Sequence, residues 1–244
     1  MIEPLTEISR ETDFKKGALL LVDKPKGITS FKVVKDIRYW VKKNYQIKEK
    51  LKVGHAGTLD PLASGLLIIC TGKMTKKIPK LQEDKKVYTG TFTFGATTPS
   101  FDLETGIDKE YSTENITKEK LKAAFRMFTG KIDQIPPTYS AVKVGGRRAY
   151  DYARKKDDVE LKAKNIEIYN FELISFDLPH VQFRIECSKG TYIRSLARDL
   201  GYYLHSGAYL SELRREQTGN YHVKDAFIPS SLKEIIEEVT PTAY

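Results

Sequence analysis

Val53-Gly54-His55-Ala56-Gly57-Thr58-Leu59-Asp60-Pro61-Leu62-Ala63-Ser64-Gly65-Leu66-Leu67-Ile68-Ile69-Cys70 sets one carboxylate on a glycine-punctuated loop just ahead of an apolar run. Gly54 and Gly57 permit backbone angles and close approaches that a Cβ forbids, and Pro61 biases Asp60 toward an extended conformation. Leu66 to Cys70, of strand length and bounded by Gly65 and Gly72, predicts a strand buried on both faces. A polar loop anchored on a buried strand is a common place for chemistry. On local chemistry alone, however, an Asp before Pro is a turn former and a single His such as His55 is a hydrogen-bonded structural residue.

The remaining chain bounds the function class. Its 244 residues suffice for one large domain, expected over 1–244. Lys and Arg number 41 against 32 Asp and Glu, a net charge of +9 that favours a polyanionic partner such as nucleic acid. Cys70 and Cys187, each inside an apolar segment, exclude a disulfide scaffold and point to a reducing compartment. His55, His180, His205 and His222 are scattered without zinc spacing, so no metal is expected. No leader precedes the first strand and no apolar run approaches the ~20 residues that cross a bilayer, which places the protein in the cytoplasm without a membrane partner.

Along the chain, Ala18 to Val22 reads as a buried strand. Thr29 or Ser30 caps a helix with Phe31, Val33, Val34, Ile37, Trp40 and Val41 on its apolar face and Lys32, Lys35, Arg38, Lys42 and Lys43 opposite. Val87 to Phe94 alternates as a half-buried strand, with Tyr88, Phe92 and Phe94 on one side. Thr117 caps a helix carrying Leu121, Ala124, Phe125 and Phe128, ended by Gly130. The segment from Gln134 to Arg154 interleaves Pro, Gly, Tyr and Arg without a period, a composition suited to gripping RNA, since arginine meets phosphate and tyrosine stacks on bases. Ile166 to Leu173 and Val181 to Cys187 read as strands, and a helix begins near Thr191 or Tyr192. Arg194 in its first turn opposes the helix dipole and asks for a local anion. Strands and helices mixed in this way predict an α+β domain around a mixed, largely antiparallel sheet.

Gly54-His55-Ala56-Gly57-Thr58-Leu59-Asp60-Pro61-Leu62-Ala63-Ser64-Gly65 resembles the active-site motif of the TruB family of tRNA pseudouridine synthases. The turn from Val22 to Ser30 resembles a second signature of that family, one that buttresses the catalytic loop. The resemblance extends through Lys86-Val87-Tyr88, Cys187 to Arg194 and Ala208 to Arg215. It implies the pseudouridine synthase fold, with an RNA-binding thumb loop inserted at about 131–160. The chain after Ala226-Phe227 leaves no room for the C-terminal PUA-type domain that many relatives carry.

The resemblance further implies that Asp60 is the catalytic carboxylate and Arg194 its ionic partner. Tyr88 would stack on the target base, Tyr192 would line the nucleotide pocket, Leu213 would touch the base, and His55 would occupy the void or brace the extruded nucleotide. The implied reaction turns uridine at tRNA position 55, in the T loop, into pseudouridine without a cofactor. The implied partner is the tRNA T stem-loop, and no obligate protein partner is inferred. Asp60 would act either as a nucleophile on the sugar or as a base at C2′. Three other readings compete: an RNA-folding module without catalysis, a synthase of the same fold working with guide RNA, and a glycosidase, which usually needs a second carboxylate.

Overall fold

In the computed structural model, which describes residues 2–140, 142–155 and 159–239, the chain begins with β1 (Leu19–Lys24), α1 (Ser30–Asn44), β2 (Val53–His55), β3 (Ser64–Thr71), α2 (Ile78–Gln82) and β4 (Lys86–Phe94). Next come β5 (Ala96–Thr97), β6 (Lys109–Glu110), α3 (Lys118–Met127), β7 (Gly130–Gln134), β8 (Lys143–Val144), β9 (Arg147–Arg148) and α4 (Ala149–Lys155). It closes with β10 (Lys164–Asp177), β11 (His180–Cys187), α5 (Ile193–Tyr203), β12 (Ala208–Thr218), β13 (Tyr221–His222) and α6 (Pro229–Glu238). These elements pack as two units, residues 1–86 with 214–244, and residues 87–213. The ladders β1–β3, β2–β3, β7–β10, β10–β11 and β12–β13 are antiparallel and β12 meets β3 in parallel, which makes the fold α+β with mixed pairing, as expected.

In the first unit β3 is central. One edge pairs with β1, Leu21 opposite Ile68 and Val22 opposite Leu67. The other edge is shared: β2 takes the C-terminal half through His55 opposite Ile69, and β12 takes the start through Arg215 opposite Gly65. The loop carrying Asp60 is the chain that leaves β2 and re-enters at β3. The two-faced burial predicted for β3 is what the packing shows. Leu67 and Ile69 join Leu20, Val22, four residues of α1 and Leu232 and Ile236 of α6 in one cluster, while Leu66, Ile68 and Cys70 join Leu19, Leu21, Ala56, Leu81 and Tyr221 in another. Helix α1 starts as predicted, Thr29 accepting the Lys32 N–H. Its apolar stripe is narrower than expected: Phe31 is 65% exposed, and the buried first-turn residue is Ser30, drawn inward by its bonds to Leu59.

In the second unit the ladder runs β12–β4–β11–β10–β7. Its core holds two stacked ring pairs, Phe92 on Phe183 at 4.0 Å and Phe125 on Phe171 at 3.8 Å between centroids. Strand β4 departs from the half-exposed reading, since Thr91 and Thr93 are buried along with the aromatic face. The Thr93 hydroxyl donates to Ser211 Oγ (2.8 Å) and lies 3.1 Å from His180 Nδ1, and that of Thr91 donates to Glu212 (3.3 Å). Neighbouring strands thus meet the polar needs of that face, and a hydroxyl so partnered tolerates burial. Helix α3 forms where predicted, with Thr117 accepting from Lys120 N at 3.3 Å. The segment from Gln134 onward, expected as an aperiodic arm, contains the hairpin β8–β9 around Gly145-Gly146, both at positive φ, and then α4. Ala141 and the Lys156-Asp157-Asp158 run at the rear of that arm lie outside the described residues. Among the described residues no helix is long and apolar enough to cross a membrane.

Gly65 shows how tightly β3 and β12 approach. It has φ +104°, and a Cβ there would lie 2.3 Å from the Arg215 carbonyl oxygen, against backbone that cannot swing away. Gly65→Ala is therefore expected to cost more than about 3 kcal/mol in urea unfolding. Gly106→Ala, where an added Cβ meets nothing within 4 Å, should stay within about 1 kcal/mol of the parent. Equal stability of the two variants would contradict this packing.

Candidate active site

Asp60 lies half-buried on the β2–β3 loop, and the loop is fastened from both sides. From the α1 side, Gly27 N donates to Pro61 O (2.8 Å), while Ser30 Oγ accepts from Leu59 N and donates to Leu59 O, both at 2.9 Å. From the β12 side comes Arg215, 1% exposed. Its Nε donates to Leu66 O (2.7 Å), and its two terminal nitrogens reach Gly57 O (2.9 Å) and Thr58 O (3.5 Å). Lys24, fully buried at the end of β1, directs Nζ to the carbonyls of Ile28 (2.7 Å), Pro25 (2.9 Å) and Pro61 (3.4 Å). Strand alternation sends their neighbours the other way, and Asp23 and Arg214 form a two-pronged ion pair at 3.1 and 2.7 Å.

Two buried cations hold the backbone of this loop, and one of them, Lys24, also feels the Asp60 charge. Burial lowers the Lys24 pKa to about 8, the Asp60 charge opposing the fall and Arg215 adding to it. The ammonium is thus mostly protonated at neutral pH. Burial, and then Arg215, also pull the His55 pKa below the usual histidine range, which leaves the ring neutral. Its Nδ1 is buried without a hydrogen-bond partner among the described residues.

The other predicted residues belong to the second unit. Tyr88 is buried on β4, and Leu213 is half-buried on the neighbouring β12. Tyr192 precedes α5, its main chain clasped by the Gln134 amide, with Tyr192 N to Oε1 at 2.8 Å and Nε2 to Tyr192 O at 3.1 Å. Arg194, 4% exposed, donates to Ser100 O (3.1 Å) and Tyr139 O (2.9 Å), and its Nε lies 3.6 Å from Asp102 Oδ2. Within this unit Asp102 answers the anion that a first-turn arginine requires. It is set at the end of a turn where Phe101 adopts φ 61° and the Phe101 carbonyl accepts from Leu210 N at 2.9 Å.

Sequence reasoning singled out His55, Asp60, Tyr88, Tyr192, Arg194 and Leu213 and passed over Lys24, Ser30, Arg215 and Asp102. A signal existed for the first three, because Lys24 and Ser30 sit in the Val22 to Ser30 signature and Arg215 ends the Ala208 to Arg215 stretch. Asp102 sits in an aperiodic loop without one.

These contacts carry stability consequences. Lysine lacks the planar fork that reaches three carbonyls, so Arg215→Lys should destabilise the fold by about 2 to 4 kcal/mol in denaturant unfolding. Lys24 binds its proton less tightly folded than unfolded. Between pH 8 and 10.5 the unfolded chain therefore holds the extra proton, and stability rises with pH. Relative to Lys24→Met, the parent should gain about 1 to 3 kcal/mol across that window. A difference independent of pH would show that Lys24 is not held in a desolvating site.

A profile of the TruB family pseudouridylate synthase N-terminal domain matches residues 42–193, a span that includes His55, Asp60, Tyr88 and Tyr192 and stops one residue before Arg194. A Phocaeicola vulgatus protein named tRNA pseudouridine synthase B is 52% identical over 226 residues, covering 93% of this chain and 96% of its own. A Flavobacterium johnsoniae protein of the same name is 47% identical over 225 residues, covering 92% and 98%. Among solved structures, a chain of a Cbf5-Nop10-Gar1 complex superposes with a TM-score of 0.68 at 27% identity over 93% of this chain. The present chain spans little more than half of that one, 56%. With the profile and the near full-length relatives in agreement, the chain belongs to the TruB family of pseudouridylate synthases.

Proposed function

We propose that this protein converts uridine to pseudouridine in tRNA, at position 55 of the T loop, with Asp60 as the catalytic carboxylate. The observation that carries the reading is the fastening of the Asp60 loop by Lys24, Ser30 and Arg215 within a sequence span that matches the family. The tRNA substrate is supported by relatives named tRNA pseudouridine synthase B at about half identity, against 27% for the Cbf5 chain.

The reaction cleaves the bond from C1′ to N1, turns the base and joins C5 to C1′. The C5 proton leaves to water and N1 takes one up, so the composition of the nucleotide is unchanged. A carboxylate near C1′ serves either as nucleophile on the sugar or as base at C2′. The target base reaches it only after extrusion from its loop, at an unstacking cost of a few kcal/mol. In this reading Tyr88 offers replacement stacking worth about 1 to 3 kcal/mol, and Tyr192 and Leu213 complete the base pocket. Neutral His55, with its unsatisfied Nδ1, braces the extruded nucleotide by a hydrogen bond rather than by charge.

A tRNA transcript tritiated at uridine C5 tests the assignment, because joining C5 to the sugar releases the label to water. Wild-type protein should release one tritium per tRNA, and none once the T-loop uridine is replaced by cytidine. Asp60→Asn should abolish release while leaving RNA affinity within about threefold. An active Asp60→Asn protein, or release from the cytidine transcript, would end the assignment. Arg194→Ala should in addition lose about 3 to 5 kcal/mol of stability, because it leaves Asp102 buried without its cation.

A further inference from the structure

At the end of β7, the last strand of the ladder in the second unit, Gln134 is 2% exposed. A carboxamide in the interior is costly unless its polar atoms are bonded. Here Oε1 accepts from Tyr192 N at 2.8 Å and Nε2 donates to Tyr192 O at 3.1 Å, so one planar group holds both main-chain polar atoms of a single residue. The turned-over amide would set donor against donor and acceptor against acceptor, which fixes its orientation. Tyr192 starts α5 without a capping bond from its own side chain, and its carbonyl accepts in addition from Leu196 N at 3.2 Å. Ahead of it the chain comes off a turn with Gly190 at φ +77°. Gln134 therefore sets where Tyr192 enters the helix.

The consequence falls on the ring. With its N–H and C=O both held, Tyr192 keeps φ −101° and ψ 107°, and these angles fix the direction of its Cα–Cβ bond, leaving the side chain only its own torsions. Neighbouring bonds join the same two stretches of chain. Ile135 O accepts from Ser195 Oγ (2.8 Å) and from a terminal nitrogen of Arg198 (3.1 Å), and Tyr139 O accepts from Arg194 (2.9 Å). The start of α5 is thus tied to the start of the arm, and the Gln134 clasp falls on the residue assigned to the nucleotide pocket. We propose that Gln134 is a positioning residue for the isomerisation, acting through Tyr192 rather than on the RNA, and that it holds the Tyr192 ring in place for the extruded nucleotide. The proposal rests on the pseudouridine synthase reading above.

Single-turnover tritium release from full-length tRNA, with protein in excess, tests it in Gln134→Met, Tyr192→Ala and the double variant. Gln134→Met, close in shape but without the amide, should slow release about thirtyfold at saturating protein, with the half-saturating concentration within about threefold of the parent. In the Tyr192→Ala background the same substitution should slow release less than about twofold, because the ring it positions is gone. An unchanged rate in Gln134→Met overturns the proposal. So does a full loss repeated in the Tyr192→Ala background, which is what a general weakening of the fold would give. Should the methionine variant fail to fold, Gln134→Glu takes its place. Ionised, that carboxylate has no donor for Tyr192 O, and protonated it regains one. Its rate relative to the parent should be low at about pH 8 and rise at least about tenfold by about pH 5.5, whereas a ratio that does not change with pH overturns the proposal. Failure of the pseudouridine synthase reading looks different, because the parent protein would then release no tritium.

Discussion

The buried Arg215 guanidinium is the contact on which the site-bearing unit depends. It is one of the largest fully buried side chains in the protein, and its hydrogen bonds end on carbonyls of the β2–β3 loop and β3. A charge in that position is costly unless every donor is used. The loop supplies the acceptors, so the cation and the loop conformation require one another. Gly65 allows β12 to approach closely enough for the arrangement to form.

Lys24 repeats the device from the other strand beside β3. Its ammonium, fully buried, gathers carbonyls from the turn after β1 and from Pro61 next to Asp60. The consequence is that the loop bearing the carboxylate is held by two cations before any substrate arrives. Positive groups at fixed positions act most strongly where water is scarce, and they need no rearrangement when charge changes at the reacting centre. The second unit follows the same logic at Arg194, whose guanidinium meets Asp102 and two carbonyls. Both halves of the chain therefore place arginine in the interior and satisfy it largely with backbone oxygen.

How far these features are legible in the sequence depends on whether they are periodic. The apolar run of β3, the stripes of α1 and α3 and the strands β10 and β11 obey simple spacing rules and are read correctly. Phe31 misleads because its side chain fits the helical pattern while the first turn is governed by Ser30 and its bond to Leu59. The threonines of β4 mislead because alternation marks polarity, not exposure, and partners on β11 and β12 close that face. Among the site residues, Asp60 is legible only through a motif. Arg215 looks like its half-buried neighbour Arg214 until the strand register shows which of the two points into the loop. Asp102 depends on a left-handed Phe101 that no pattern announces.

The central claim is that the Asp60 loop is held in place in the free protein. Amide hydrogen exchange on the free protein measures this directly, through the amides of Gly27, Ala56, Leu59 and Ala63, which donate to Pro61 O, Ile68 O, Ser30 Oγ and Asp60 O. The account predicts that these amides exchange about as slowly as those of β3, opening only with the unit as a whole. Exchange at the rate of an exposed loop, with protection appearing only when RNA is added, would contradict it.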